Sequence, residues 1–247
     1  MSGDNELLLE ADLHVHTVAS GHAYSTVQEI AAEAARKGLK AFAVTDHGPT
    51  MPGGPHRYHF GNLRILPRTI NGVEIFRGVE LNILNVSGEV DLPPEYLLPL
   101  DICWAGLHSL CFDGSGTADY TEAVLKALEN PYIDGIVHPG NPDFPLDAEA
   151  VVKQAKKCGK LLEINNSSFH VRHGSLEPCR RFAVLAAMHG VMVAVNSDCH
   201  YAADVGRCEK AAEVLAESGI PPGMVINSSL GKVQQLISKR RERLSKL

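Results

Sequence analysis

Short apolar runs alternate with amphipathic stretches along most of the chain. The runs are Leu7 to Val15, Lys40 to Thr45, Val73 to Val79, Ile102 to Leu107, Gly135 to Val137, Leu161 to Ile164, and Val191 to Val195. Several of the intervals carry helix signals. Ser25 with Gln28 has the pattern of a capping box, Val27, Ile30, Ala31 and Ala34 recur at helical spacing, and Gly38 closes the element. The same logic runs from Asp147 through Val151, Val152, Ala155 and Cys158 to Gly159, from Leu176 to His189 ahead of Gly190, and from about Arg207 to Ser218 ahead of Gly219. Strands alternating with helices pair in parallel through crossover connections, so the pattern predicts an α/β fold, with a TIM-like barrel favoured over an open sheet. Val225 and Ile226 offer a weak eighth strand. No linker, low-complexity segment or solenoid repeat interrupts the pattern, so residues 1–247 read as one domain.

Chemistry is concentrated where the apolar runs end. Nine residues that bind divalent metals well sit there or just beyond: His14, His16, His22, His47, Glu80, His108, His138, Asp198 and His200. Seven of the twelve histidines fall in this set. His14 and His16 finish ADLHVH, His47 finishes AFAVTDH, Glu80 finishes FRGVE, His108 finishes CWAGLH, His138 finishes DGIVH, and Asp198 and His200 follow VMVAVN; His22 alone lies well out in a loop. In parallel α/β folds the loops beyond the carboxyl ends of the strands form one shared face, so these side chains are expected to meet. A lone strand-end histidine is more often a hydrogen-bonded structural residue than a ligand, but repetition at six strand ends argues for a shared site. The period of two puts Asp12, His14 and His16 on one strand face, with Asp12 placed to support the imidazoles from behind.

These segments carry a resemblance. ADLHVHTVAS with His22, then AVTDHG, GVE, GLHS, IVHPGNP and NSDCH, resemble the ordered motifs of the PHP family, the polymerase and histidinol phosphatase superfamily. The match runs from about Ala11 to His200 and is nearest to the stand-alone bacterial branch of phosphatases with a trinuclear zinc site. The resemblance implies a distorted barrel of seven strands. It also implies one metal on His14, His16, Glu80 and Asp198, a second on Glu80, His108 and His138, and a third on His22, His47 and His200, with Glu80 as the bridge.

The donor set agrees with zinc, with manganese or iron as other occupants, because thiolate sites need cysteine and calcium wants more oxygen. Metal-bound water can titrate near neutrality, so hydroxide between two ions is the expected nucleophile, and no catalytic side chain is assigned beyond the metal ligands. A phosphomonoester is the expected substrate, its oxygens and leaving alkoxide stabilised by the ions. The alternative is a phosphodiesterase or nuclease using the same site. A purely structural metal protein is disfavoured, since sites with three protein ligands leave coordination positions open. No organic cofactor is expected, because no GxxxxGK[ST], GxSxG or GxGxxG arrangement competes.

Composition adjusts this picture in three places. A net charge of -6 argues against nucleic acid as the main partner. Three divalent ions would cancel that charge and leave a positive cleft, which suits a small anionic ester. The acidic start MSGDNELLLE has no basic leader pattern, no apolar run is long enough to span a bilayer, and the six cysteines include no CxxC pair; a cytoplasmic protein with reduced thiols is expected, and a homo-oligomer is left open. Cys199, between Asp198 and His200, is expected to pack as a small apolar residue. Asp46 is read as a supporting group or a proton donor, and Glu163 and Asn165 as groups that orient ligands or solvent. In the Pro- and Gly-rich loop from Pro49 to Arg64, Arg57 and Arg64 are phosphate candidates, while His170, Arg172 and His173 form a similar loop further on. Lys239, Arg240, Arg241 and Arg243 read as the solvated face of a terminal helix.

Overall fold

The computed structural model describes residues 7–247. The acidic residues 1–6 read above lie outside them.

Seven parallel strands form the frame: β1 (Ala11–Val15), β2 (Ala41–Val44), β4 (Val73–Asn82), β5 (Ile102–Gly106), β6 (Gly135–Ile136), β7 (Leu161–Asn165) and β8 (Val193–Asn196), hydrogen-bonded in that order. A two-residue strand, β3 (Thr69–Ile70), pairs antiparallel with β4 and adds an arm that the periodicity does not reveal. The sheet curls until β1 meets β8, where a bridge between Val15 and Cys199 and the bond from His16 N to Cys199 O nearly close a TIM-like barrel. Val225 bridges to Val193, but Ile226–Ser228 turn into a 3-10 helix, so the weak eighth strand does not form.

Helices cover the barrel as the apolar spacing requires. They include α1 (Val27–Arg36), α2 (Tyr58–Asn62), α3 (Pro94–Leu97), α4 (Gly116–Glu129), α5 (Ala148–Cys158), α6 (Ser168–Val171), α7 (Leu176–His189), α8 (Glu209–Glu217) and α9 (Leu230–Leu244). The box at the start of α1 sits one residue later than the spacing of Ser25 and Gln28 suggests. Thr26 and Glu29 form it, and the Ser25 hydroxyl instead accepts from Ala202 N at 2.9 Å, tying this loop to the one after β8. Asp147 caps α5, and Gly159 and Gly190 end α5 and α7 in the left-handed conformation.

Two apolar layers result. Val44, Val79, Ala105, Ile136, Ile164 and Val195 pack outward against the helices. Leu13, Ala43, Phe76, Trp104 and Val137 fill the interior together with Ile226, Val233 and Ile237, so α9 plugs the amino end of the barrel. With that end filled, only the carboxyl end remains for a site. Among the described residues no helix is long and apolar enough to cross a membrane.

Candidate metal centre at the carboxyl end of the barrel

Glu80, 1% exposed near the end of β4, stands at the middle of the site. Its Oε1 lies 2.9 Å from His108 Nε2 and 2.9 Å from His138 Nε2, and those two nitrogens are 3.3 Å apart. Its Oε2 lies 3.2 Å from His14 Nε2 and 3.3 Å from His16 Nε2, which face each other at 3.0 Å. Asp198 Oδ1 completes that second group at 3.6 Å from His14 and 3.1 Å from His16. Two imidazole nitrogens facing each other at 3.0 Å between carboxylate oxygens need a proton or a metal cation to hold them together.

The local structure presents these lone pairs by fixing the opposite nitrogens. His14 Nδ1 donates to Glu163 Oε1 at 2.7 Å, since an ionised carboxylate can only accept. The Ser20 hydroxyl donates to Asp46 Oδ1 at 2.7 Å, so its oxygen accepts from His16 Nδ1 at 3.0 Å and from His47 N at 3.2 Å. His200 Nδ1 donates to Asp198 O at 3.0 Å. Space is made by Gly106 at the end of β5: a Cβ there would lie 3.0 Å from His138 Cε1 and 3.2 Å from His108 Cε1. Backbone strain is stored at the site as well. His138 and Asp198 have φ of 31° and 53°, in the left-handed region that non-glycine residues avoid.

The electrostatics follow from this crowding. Burial pushes His47 down to about 3, and His138 and His200 down to about 4, so all three carry free lone pairs at neutral pH. Burial opposes charge on His16 too, but hydrogen bonds to Asp198 and Glu80 carry it up to about 9. Glu80 and Asp198 resist burial and stay well below the usual carboxylate range because histidines surround them. Buried carboxylates that draw protons onto neighbouring imidazoles would draw a divalent cation in the same way.

The donor set fits a metal on a further observation. Glu80 Oε2 and His47 Nδ1 approach to 2.8 Å, yet each is buried without a hydrogen-bond partner. Orphaned buried polar atoms that converge are what a bound ion would satisfy. Three groups of side chains could hold one: His14, His16 and Asp198; His47, Glu80 and His108; and His16, His47 and His200. Of the nine residues singled out by sequence, eight make close nitrogen or oxygen contacts within this cluster. His22 is the exposed member, joined through its ring, which stacks on His47 at 5.1 Å and on His200 at 4.8 Å.

Several neighbours act differently from their sequence reading. Asp12 supports no imidazole. The register of β1 shifts between Asp12 and Val15, which breaks the alternation, and its carboxylate accepts instead from Ser197 N, Ser197 Oγ and Gly206 N, on the segment bearing Asp198. Asp46 takes the supporting one of its two readings: it accepts from Thr17 N, Thr17 Oγ and Ser20 Oγ, and although burial opposes the charge, the His59 bond at 3.0 Å and nearby imidazoles hold it down at about 2. Arg57 lies over the Tyr96 ring, 5.9 Å away. Arg57 and Arg64 are not among the residues lining the cavity above the cluster. That cavity, about 710 Å³, is lined by His22, His47, His108, His200 and Arg172 among others. Arg172 reaches Asp198 Oδ2 at 3.4 Å and Ser168 Oγ at 3.0 Å, bringing a cation to the rim. Cys199 is buried among apolar side chains, and no disulfide joins any of the described cysteines.

A nearly closed parallel barrel with a histidine and carboxylate cluster that could hold metal at its carboxyl end defines the class: an α/β barrel of TIM-like type. The comparisons narrow it. The model of the PHP domain matches residues 12–138. A protein of Acetivibrio thermocellus named "Probable phosphatase" is 48% identical over 94% of this chain and 97% of its own length. Another so named, from Caldanaerobacter subterraneus, is 49% identical over 99% and 97%. The fold is similar to that of histidinol phosphate phosphatase from Lactococcus lactis, solved with zinc, L-histidinol and phosphate, at a TM-score of 0.60 and 15% identity over 87% of this chain and 95% of that one. The chain belongs to the PHP family.

Proposed function

We propose that the protein is a phosphatase, a hydrolase of phosphoric esters, whose site holds three ions, with zinc the preferred metal, and acts on small phosphomonoesters in the cytoplasm, the whole chain serving as one metallohydrolase domain. The observation that carries the reading is Glu80: one buried carboxylate faces the nitrogens of His108 and His138 with one oxygen and those of His14 and His16 with the other. In this reading His14, His16, Glu80 and Asp198 hold one ion, Glu80, His108 and His138 a second, and His22, His47 and His200 a third. The names borne by relatives 48% and 49% identical over nearly the whole chain support the reaction class.

When bound, such ions supply hydroxide at neutral pH and stabilise negative charge on a phosphoryl group. The chain's own residues do the rest. Glu163, Ser20 and the Asp198 carbonyl hold three imidazoles in the tautomer that turns a lone pair to the cluster. The Arg172 guanidinium, beside Asp198 at the cavity rim, is placed to pair with a phosphate oxygen. The cavity has room for a leaving group larger than phosphate.

The test is metal-replete protein assayed on para-nitrophenyl phosphate, its bis ester and a single-stranded oligonucleotide. The monoester is expected to give the highest kcat/KM. Higher efficiency on the bis ester or the oligonucleotide would replace the monoester reading with that of a phosphodiesterase or nuclease.

A further inference from the structure

Glu163 lies on β7, the one parallel strand of the barrel that carries no proposed ligand at or just beyond its end, and is buried to 1% exposure behind the cluster. All of its acceptor capacity is used. Oε1 accepts from His14 Nδ1 at 2.7 Å and Asn196 Nδ2 at 2.8 Å, while Oε2 accepts from His138 N at 2.8 Å and Asn165 Nδ2 at 3.0 Å. The same Asn165 amide donates to Asp198 Oδ2 at 3.0 Å. Thus one carboxylate reaches three cluster residues by three routes: a ring, a main-chain N–H and a shared amide. Two of the three, His138 and Asp198, are those with left-handed backbone, a conformation that persists only where surrounding bonds enforce it.

We infer that Glu163 is a positioning residue that couples the two ion sites sharing Glu80, setting the His14 ring, the His138 backbone and, through Asn165, the Asp198 carboxylate together. This rests on the three-ion reading above. Among the described residues the hydrogen bonds of Glu163 go to His14, Asn196, His138 and Asn165 and not to His22, His47 or His200, so its influence ends before the third site. Four donors converge on it, so charge and acceptor-only character matter more than shape. A glutamine of equal size would turn an N–H₂ group against either the His14 and Asn196 donors or the His138 and Asn165 donors.

The experiment loads wild type, Glu163→Gln, Glu163→Asp and the surface control Glu149→Gln with zinc, counts ions by elemental analysis, and follows their release to a chelator, with thermal unfolding as a check on folding. Wild type and Glu149→Gln are expected to hold three ions. Glu163→Gln is expected to release two of them about 10- to 100-fold faster while the third keeps its wild-type rate. Where Glu163→Gln fails to fold, Glu163→Asp, which keeps the charge one methylene short, is expected to show the same two accelerated phases. Wild-type release in the folded variants, or equal acceleration of all three ions, overturns the inference while the three-ion reading stands. A wild type holding at most one ion overturns that reading and the inference with it.

Discussion

The two ends of the barrel handle buried charge in opposite ways. At the amino end Arg240, 1% exposed, donates to Leu100 O at 3.0 Å, Leu97 O at 2.8 Å, Tyr132 O at 2.5 Å and Asp134 Oδ2 at 2.6 Å. Arg243 pairs with the other Asp134 oxygen at 2.6 Å, and Lys160 is buried against the carbonyls of Asn130 and Ile133. Each of these three cations meets complementary acceptors. At the carboxyl end the match fails: the ring nitrogens of His14 and His16 converge between two carboxylates, Glu80 Oε2 and His47 Nδ1 are left without hydrogen bonds, and two residues hold strained backbone. A floor satisfied by its own chain contributes stability; a mouth whose groups need something from outside serves binding. The lesson is that burial of charge marks function only where the partners fail to balance.

The sharpest way to break the comparison is to remove one residue from each end. His108→Ala is expected to lower kcat/KM by at least about 100-fold, since a ligand should matter more than the orienting groups whose loss costs about 10- to 100-fold. His189→Ala, at the end of α7 and bonded to Glu149 at 3.2 Å away from the cluster, should keep near-wild-type activity. Equal activities of the two variants would mean that strand-end placement carries no function.

Next in size, Arg240→Ala should cost about 3 kcal/mol, because Asp134 and three carbonyls lose a buried donor. For a chain of this length that corresponds to a Tm lower by roughly 6–12 °C, with the activity of the folded fraction unchanged. A large loss of activity at unchanged Tm would erase the distinction between floor and mouth.

The smallest effect belongs to Asp46, which lies between the two behaviours, fully bonded yet holding a cluster residue through Ser20. Its folded-state value of about 2 lies below the ordinary 3.8. The charge therefore contributes stability that is present above about pH 4 and lost as pH falls through 2. Asp46→Asn should lower stability by about 2 kcal/mol at neutral pH and have little effect at pH 2, as chemical denaturation at the two pH values would show. An equal loss at both would assign the effect to lost packing.

How much of this was legible in the sequence depended on whether a residue's role is local. The barrel followed from the apolar runs, and the gathering of His14, His47, Glu80, His108 and His138 followed from their placement at strand ends, because parallel strands send their carboxyl ends to one face. Roles set by long-range pairing were hidden. Glu163 and Asp12 look alike as buried strand carboxylates; only the register shift in β1 and the crossing of β7 beneath the cluster decide that Glu163 takes the imidazole and Asp12 takes Ser197. Arg240 reads as a solvated residue of a basic run, yet α9 turns it under the barrel to Asp134, a partner more than one hundred positions away in the chain. The loops divide for the same reason: Arg57 and Arg64 share a loop rich in glycine and proline that sends Met51 to the cavity but neither arginine, while the loop after β7 brings Arg172 to its wall.

Anomalous diffraction at the zinc edge, from crystals grown with the metal, tests the central claim most directly. Three peaks at the carboxyl end of the barrel are predicted, two of them sharing Glu80 and the third beside His22, His47 and His200. A single peak, or peaks away from Glu80, would contradict the account.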